Sequence, residues 1–102
     1  MAKYLFLYSG GQLAETPEAQ EAEMQAWGAW LGGLGESVAD IGNPFGGAAT
    51  VRADGTTDGG ASRLGGYSII TADSLADAGA KTAGCPVLGV GGSVEVYEAV
   101  PM

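Results

Sequence analysis

KYLFLYSGG, residues 3–11, decides the architecture of this chain. The apolar and aromatic run from Tyr4 to Tyr8 stops at Ser9-Gly10-Gly11, the pattern of a short β-strand ending in a turn. Side chains alternate along a strand, so Tyr4, Phe6 and Tyr8 point one way while Leu5 and Leu7 point the other. Both faces are apolar, and each therefore needs a cover.

The next segment supplies one cover. Thr16-Pro17-Glu18 reads as a helix start, with a hydroxyl cap, proline at the first helical position, and Glu18 and Glu21 near the positive end of the dipole. The helix is expected to run to Gly33 or Gly35. Met24, Trp27, Trp30, Leu31 and Leu34 share one stripe of about 120°, opposite Glu18, Glu21 and Gln25, so one side packs on a sheet and the other meets water. Trp27 and Trp30 could line a ligand cavity, but on an apolar stripe they read as core.

Ser37 to Ile41 and Ala48 to Ala53 are weaker strand candidates, separated by the turn-rich stretch Gly42 to Gly47. Gly66 to Ala72 (GYSIITA) is a firm strand, rich in β-branched residues. Asp73 or Ser74 can cap a short helix through Thr82, ended by Gly84 and Pro86. Ser93 to Ala99 is the last strand, with Val94 and Val96 on one face and Glu95 and Tyr97 on the other. The order strand, helix, two strands, helix, strand predicts an α+β, ferredoxin-like βαββαβ domain, an antiparallel sheet with two helices on one face. Two helices leave the other face bare. The aromatic face of the first strand is expected to be the bare one, covered by a second copy in a homodimer.

Bulk composition agrees with one packed domain spanning residues 1–102. The chain is 46% hydrophobic and 16% charged, and its 19 glycines imply many turns. Twelve acids against four bases give a net charge of −8, which repels nucleic acid and anionic membrane surfaces. Neither partner is expected. Cys85 is the single cysteine, so no internal disulfide can form; the Tyr4–Tyr8 run is too short to cross a bilayer, and no leader pattern stands at the N-terminus. A cytoplasmic location is the resulting expectation.

Residues 53–70, ADGTTDGGASRLGGYSII, raise the question of chemistry. Five glycines, Gly55, Gly59, Gly60, Gly65 and Gly66, precede the apolar run. A phosphate loop requires a lysine followed by a helix, yet Tyr67 stands at the lysine position and a strand follows. A flexible connection is the plainer reading. Gly89-Val90-Gly91-Gly92 also leads into β-branched residues rather than a helix, so the dinucleotide fingerprint fails. The chain has no histidine, which removes the commonest general base and metal ligand and rules out a serine–histidine or cysteine–histidine nucleophile. No acids fall at calcium-loop spacing, and neither a metal nor a cofactor is expected. Cys85, between Gly84 and Pro86, reads as a small buried hydrophobe rather than a catalytic thiolate.

Four residues remain as candidates. Asp58, in Thr57-Asp58-Gly59 just ahead of a core strand, is the carboxylate placed for catalysis, although Asp-Gly is also a common turn pair. Arg52 and Arg63 could fork onto a ligand carboxylate or pair with a neighbouring acid. Tyr67 would complete a cleft with them.

The segments AKYLFLY, TPEAQEAEMQAWGAWLGGLG, VRADGTTDGG, LGGYSIITADSL and GGSVEVYEA, in this order and spacing, resemble the YCII-related or DGPF-motif domain family, most closely a bacterial subgroup of short members. The resemblance implies a ferredoxin-like domain paired into a dimeric α/β barrel. It also implies a histidine–aspartate pair in a cleft, linked in a few members to small-molecule chemistry such as dehydrochlorination of an aromatic ring. The motif's aspartate and glycine fall on Asp58 and Gly59, whereas Gly60 and Ala61 replace its proline and phenylalanine; Val87 follows Cys85-Pro86 where relatives carry histidine. Two functions survive: a dimeric, non-catalytic accessory or interaction module, and a small-molecule-binding or lyase-like protein with Asp58, Arg52, Arg63 and Tyr67 in its cleft. An exposed Asp58 favours the first.

Overall fold

The computed structural model describes residues 1–11, 14–60 and 63–102. Strand β1 (Ala2–Gly10) forms the centre of a four-stranded antiparallel sheet. It pairs on one side with β5 (Leu64–Ala72) and on the other with β6 (Gly92–Ala99), while β2 (Val38–Asp40) adds to the outer edge of β5. The spatial order β2-β5-β1-β6, with helices on one face, is compatible with a ferredoxin-like fold.

Helix α1 (Pro17–Leu34) starts as its sequence dictates: the Thr16 hydroxyl accepts from the Ala19 amide at 3.1 Å, and Pro17 takes the first turn. It ends at Gly35, whose φ of 57° lies where glycine is favoured. Trp30 is buried and Trp27, Leu31 and Leu34 pack around the core, whereas Met24 is 75% exposed. The apolar stripe thus extends past the sheet: Met24 lies in the N-terminal half of the helix with Pro17, Gln20 and Gln25, along an open surface groove. Helix α2 (Leu75–Ala80) is capped by Ser74, whose hydroxyl accepts from the Asp77 amide, and buries Ala78 in the same core.

The face that α1 covers is the aromatic one, which corrects the expectation from the sequence. Tyr4, Phe6 and Tyr8 are buried together with Trp30, Ile70, Ala72, Ala78, Cys85 and Val87. Tyr8 meets Trp27 edge-on at 4.8 Å, Trp27 meets Trp30 at 5.6 Å, and Phe6 stacks on Trp30 at 6.3 Å. Large aromatic rings fill the space between helix and sheet, so the smaller leucines Leu5 and Leu7 are left on the bare side. The Trp30 indole N–H donates to the Lys81 carbonyl at 3.2 Å, tying α1 to the end of α2.

Two corrections concern the segment between α1 and β5. Only the first of the two weaker strand candidates joins the sheet; the second, β3 (Ala49–Arg52), pairs with β4 (Gly55–Asp58) as a separate two-stranded ribbon. Asp58 therefore sits in a strand rather than in a long turn. Asn43 to Phe45 likewise runs along the edge of β5 rather than in a free turn: the Tyr67 amide donates to the Asn43 carbonyl, the Phe45 amide to the Gly65 carbonyl, and Pro44 bridges to Gly66. Gly42 enables this approach, with φ of 78° and its α-carbon against the Tyr67 carbonyl.

Candidate functional site

Two places on the molecule could carry function, the ribbon region that holds Asp58 and the uncovered face of the sheet. On the ribbon the register sets Ala49 opposite Asp58 and Arg52 opposite Gly55, so Asp58 and Arg52 stand at opposite ends. Their positions also differ by an odd number of steps across the pairing, which turns the two side chains to opposite faces. Both residues are exposed. Arg63 is exposed too, with a φ of 52° and its amide bonded to the Gly60 carbonyl, and it lines an open groove with Pro44, Phe45, Ala48, Val51 and Leu64. Asp58, Arg52 and Tyr67 are not part of that lining. The structure does not bring the four sequence candidates into one cleft.

Neither arginine forms an ion pair among the described residues, where Lys81 with Asp77 at 3.2 Å is the pair present. Asp77 accepts from the Asp73 amide and from Lys81, and these contacts hold its carboxyl below the usual carboxylate range. That cluster staples the start of α2 to its end. Cys85 is buried, and burial pushes its thiol upward, away from the thiolate a nucleophile needs. Among the described residues no three of the histidine, cysteine, aspartate and glutamate side chains gather in a way that could hold a metal ion, and no helix is long and apolar enough to cross a membrane.

The uncovered sheet face is built by the alternation of three strands. Register places Lys3 beside Thr71 and Ala99, then Leu5 beside Ile69 and Tyr97, then Leu7 beside Tyr67 and Glu95. These rows point away from both helices, and Leu5, Leu7, Tyr67 and Ile69 remain outside the core cluster. Tyr67, the one sequence candidate found here, stacks on Phe45 at 5.8 Å. Phe45 and Tyr97 are 43% and 52% exposed, a large apolar presence for surface residues. The Tyr97 hydroxyl donates to Glu95 Oε1 at 2.7 Å; that bond and the adjacent negative charge push the phenol upward and hold the carboxylate on this face. The charged residues that the register sets on this face are Lys3, Glu95 and, beside Ile69 on β2, Asp40, which sum to −1.

Alternation set Leu5 with Leu7 on one face of β1 and Tyr97 with Glu95 on one face of β6 but did not mark these as the bare faces, and nothing in the sequence singled out Phe45. No protein-family model, curated protein or solved structure matches the chain.

Proposed function

We propose that this chain is a non-catalytic interaction module that pairs with a second copy of itself through the bare sheet face, forming the dimeric α/β barrel that the YCII-related resemblance implies. One observation carries the reading: the rows centred on Leu5, Ile69 and Tyr97 are largely apolar and, with Lys3 at +1 and Glu95 and Asp40 at −1 each, carry a net charge of −1 out of the chain's −8. Two copies of an acidic protein repel each other least on an approach that presents a nearly uncharged surface. A second copy is thereby favoured as occupant. At strand spacings of about 4.8 Å and a rise of about 3.3 Å per residue, the three long strands present roughly 430 Å² per copy, or about 860 Å² in a pair, the size of a weak, reversible association.

A catalytic role for Asp58 lacks comparable support, because the carboxylate is exposed, stands at the other end of the ribbon from Arg52 and does not line the groove that holds Arg63. The test is Ile69→Arg, which places a charge in the central row without touching the aromatic core. Light scattering at micromolar concentration is expected to give the monomer mass for this variant and the dimer mass for the unaltered chain, with equal near-UV circular dichroism. A folded Ile69→Arg variant that remains dimeric would show that another surface makes the pair.

A further inference from the structure

Resting on that pairing, we infer that the β3–β4 ribbon is an arm that closes over the second copy and completes the interface begun by the sheet face. The backbone of the ribbon pairs with itself: Ala49 stands opposite Asp58 and Arg52 opposite Gly55, and the Gly59 amide donates to the Ala48 carbonyl. Every residue of its two strands is exposed except the half-buried Thr50, and Val51 is 74% exposed. A two-stranded ribbon with nothing packed on it is marginally stable in water, so one that holds its shape needs a cover. The molecule is correspondingly spread out, measuring 44 × 42 × 19 Å, with a radius of gyration of 14.8 Å against about 13 Å for a compact domain of this length.

The arm adjoins the bare face. Ala49 and Val51 share one side of the ribbon and border a groove with Pro44, Phe45 and Leu64. The Phe45 ring stacks on Tyr67, which lies in the row of Leu7. Apolar surface therefore extends from Ile69 through Tyr67 and Phe45 to Val51.

Area and charge select a second copy as the occupant. The three long strands alone leave a pair at about 860 Å², short of the ~1,200 Å² at which stable interfaces begin. A ribbon face of four residue pairs adds about 130 Å² on each arm and as much on the surface it covers, which brings the pair to about 1,400 Å². Residues 41–72 carry Arg52, Asp54, Asp58 and Arg63 and no other charge, so the arm and its base add nothing to the −1 of the sheet face. Arg52 and Arg63 are two of the chain's four bases, both are exposed, and neither forms an ion pair among the described residues. A second chain of net charge −8 attracts them.

The test compares hydrogen exchange over residues 49–58 in the unaltered chain and in Ile69→Arg, both full length and at the same concentration of several hundred micromolar. Ribbon amides are expected to exchange at least tenfold more slowly in the unaltered dimer than in monomeric Ile69→Arg. Equal rates refute the arm and leave the pairing intact: equally fast exchange leaves the ribbon bare and open to a different partner, and equally slow exchange places its cover within its own chain. A monomeric unaltered chain, or a folded Ile69→Arg variant that stays dimeric, removes the pairing and the arm with it.

Val51→Ser gives a second readout without altering charge. Sedimentation equilibrium is expected to show a dimer weakened roughly tenfold, about threefold from each of two arms. Val51→Thr keeps the branched shape that suits a strand and is expected to weaken the dimer about threefold in all. Near-UV circular dichroism of the tryptophan cluster is expected to be unchanged in both, because Val51 lies outside the core. Affinity equal to that of the unaltered chain in both variants refutes the arm.

Discussion

Replacing Ser68 by alanine should cost more stability than removing the Tyr8 hydroxyl, although Ser68 is much the smaller side chain. Ser68 is 1% exposed; its hydroxyl accepts from the Tyr8 O–H at 2.9 Å and donates to the Ile41 carbonyl at 2.7 Å. This relay joins β1, β5 and the edge segment. Ser68→Ala leaves the phenol without its acceptor inside the core and strips the Ile41 carbonyl of a donor, and each orphaned group costs about 1–3 kcal/mol when water cannot reach it. Ile41 is itself 61% exposed, so its carbonyl can recover a partner from solvent and most of the penalty falls on Tyr8. The expected cost is about 2–3 kcal/mol. Tyr8→Phe removes the donor and leaves Ser68 bonded to Ile41, for a cost of about 1 kcal/mol. With both replaced no orphaned phenol remains, so the double variant should cost less than the sum of the singles by at least about 1 kcal/mol. Urea denaturation followed by tryptophan fluorescence at fixed protein concentration measures all four proteins. Additive costs, or a Ser68→Ala cost below that of Tyr8→Phe, would refute the relay.

Phe6→Ala should cost about 3–5 kcal/mol in the same assay, because Phe6 is fully buried against Trp30; a cost under 2 kcal/mol would place the ring outside the core. Gly42→Ala combines a backbone at φ of 78° with a methyl group driven into the Tyr67 carbonyl, and should cost at least about 2 kcal/mol. Hydrogen exchange should show faster exchange of the Tyr67 amide in this variant, and unchanged protection would contradict the edge pairing. Burial pushes the Tyr8 phenol from 10.0 up to about 12, so the fold favours its neutral form. The associated stability is fully present below pH 10 and is lost as pH rises from 10 to 12; urea midpoints that fall equally for Tyr8→Phe and the unaltered chain across this window would contradict it.

The elements that alternate cleanly were legible from residues alone. Lys3 to Tyr8, Gly66 to Ala72 and Ser93 to Ala99 all lie within strands, and Thr16-Pro17 opens a helix that Gly35 closes. The ribbon was not legible, because Gly55 to Asp58 is exposed throughout and so shows no hydrophobic alternation to mark it as a strand. Gly42 to Phe45 carries glycine and proline, which read as turn, while its pairing to β5 is made by backbone groups. Alternation also could not say which face of β1 the helix would cover, since Leu5 and Leu7 are as apolar as the aromatic residues they alternate with. That choice depends on the bulk of Trp27 and Trp30, which nest with large rings. For the candidate site, residue types alone marked Asp58, Arg52, Arg63 and Tyr67 as capable of chemistry. Their separation follows from the pairing of β3 with β4, which no local pattern revealed.

The central claim is that the bare face of the sheet is closed by a second copy of the chain, and sedimentation equilibrium on the unaltered protein tests it most directly. The chain mass is 10.1 kDa, so the account predicts about twice that value at micromolar concentration. A single species that stays at 10.1 kDa up to several hundred micromolar would contradict it.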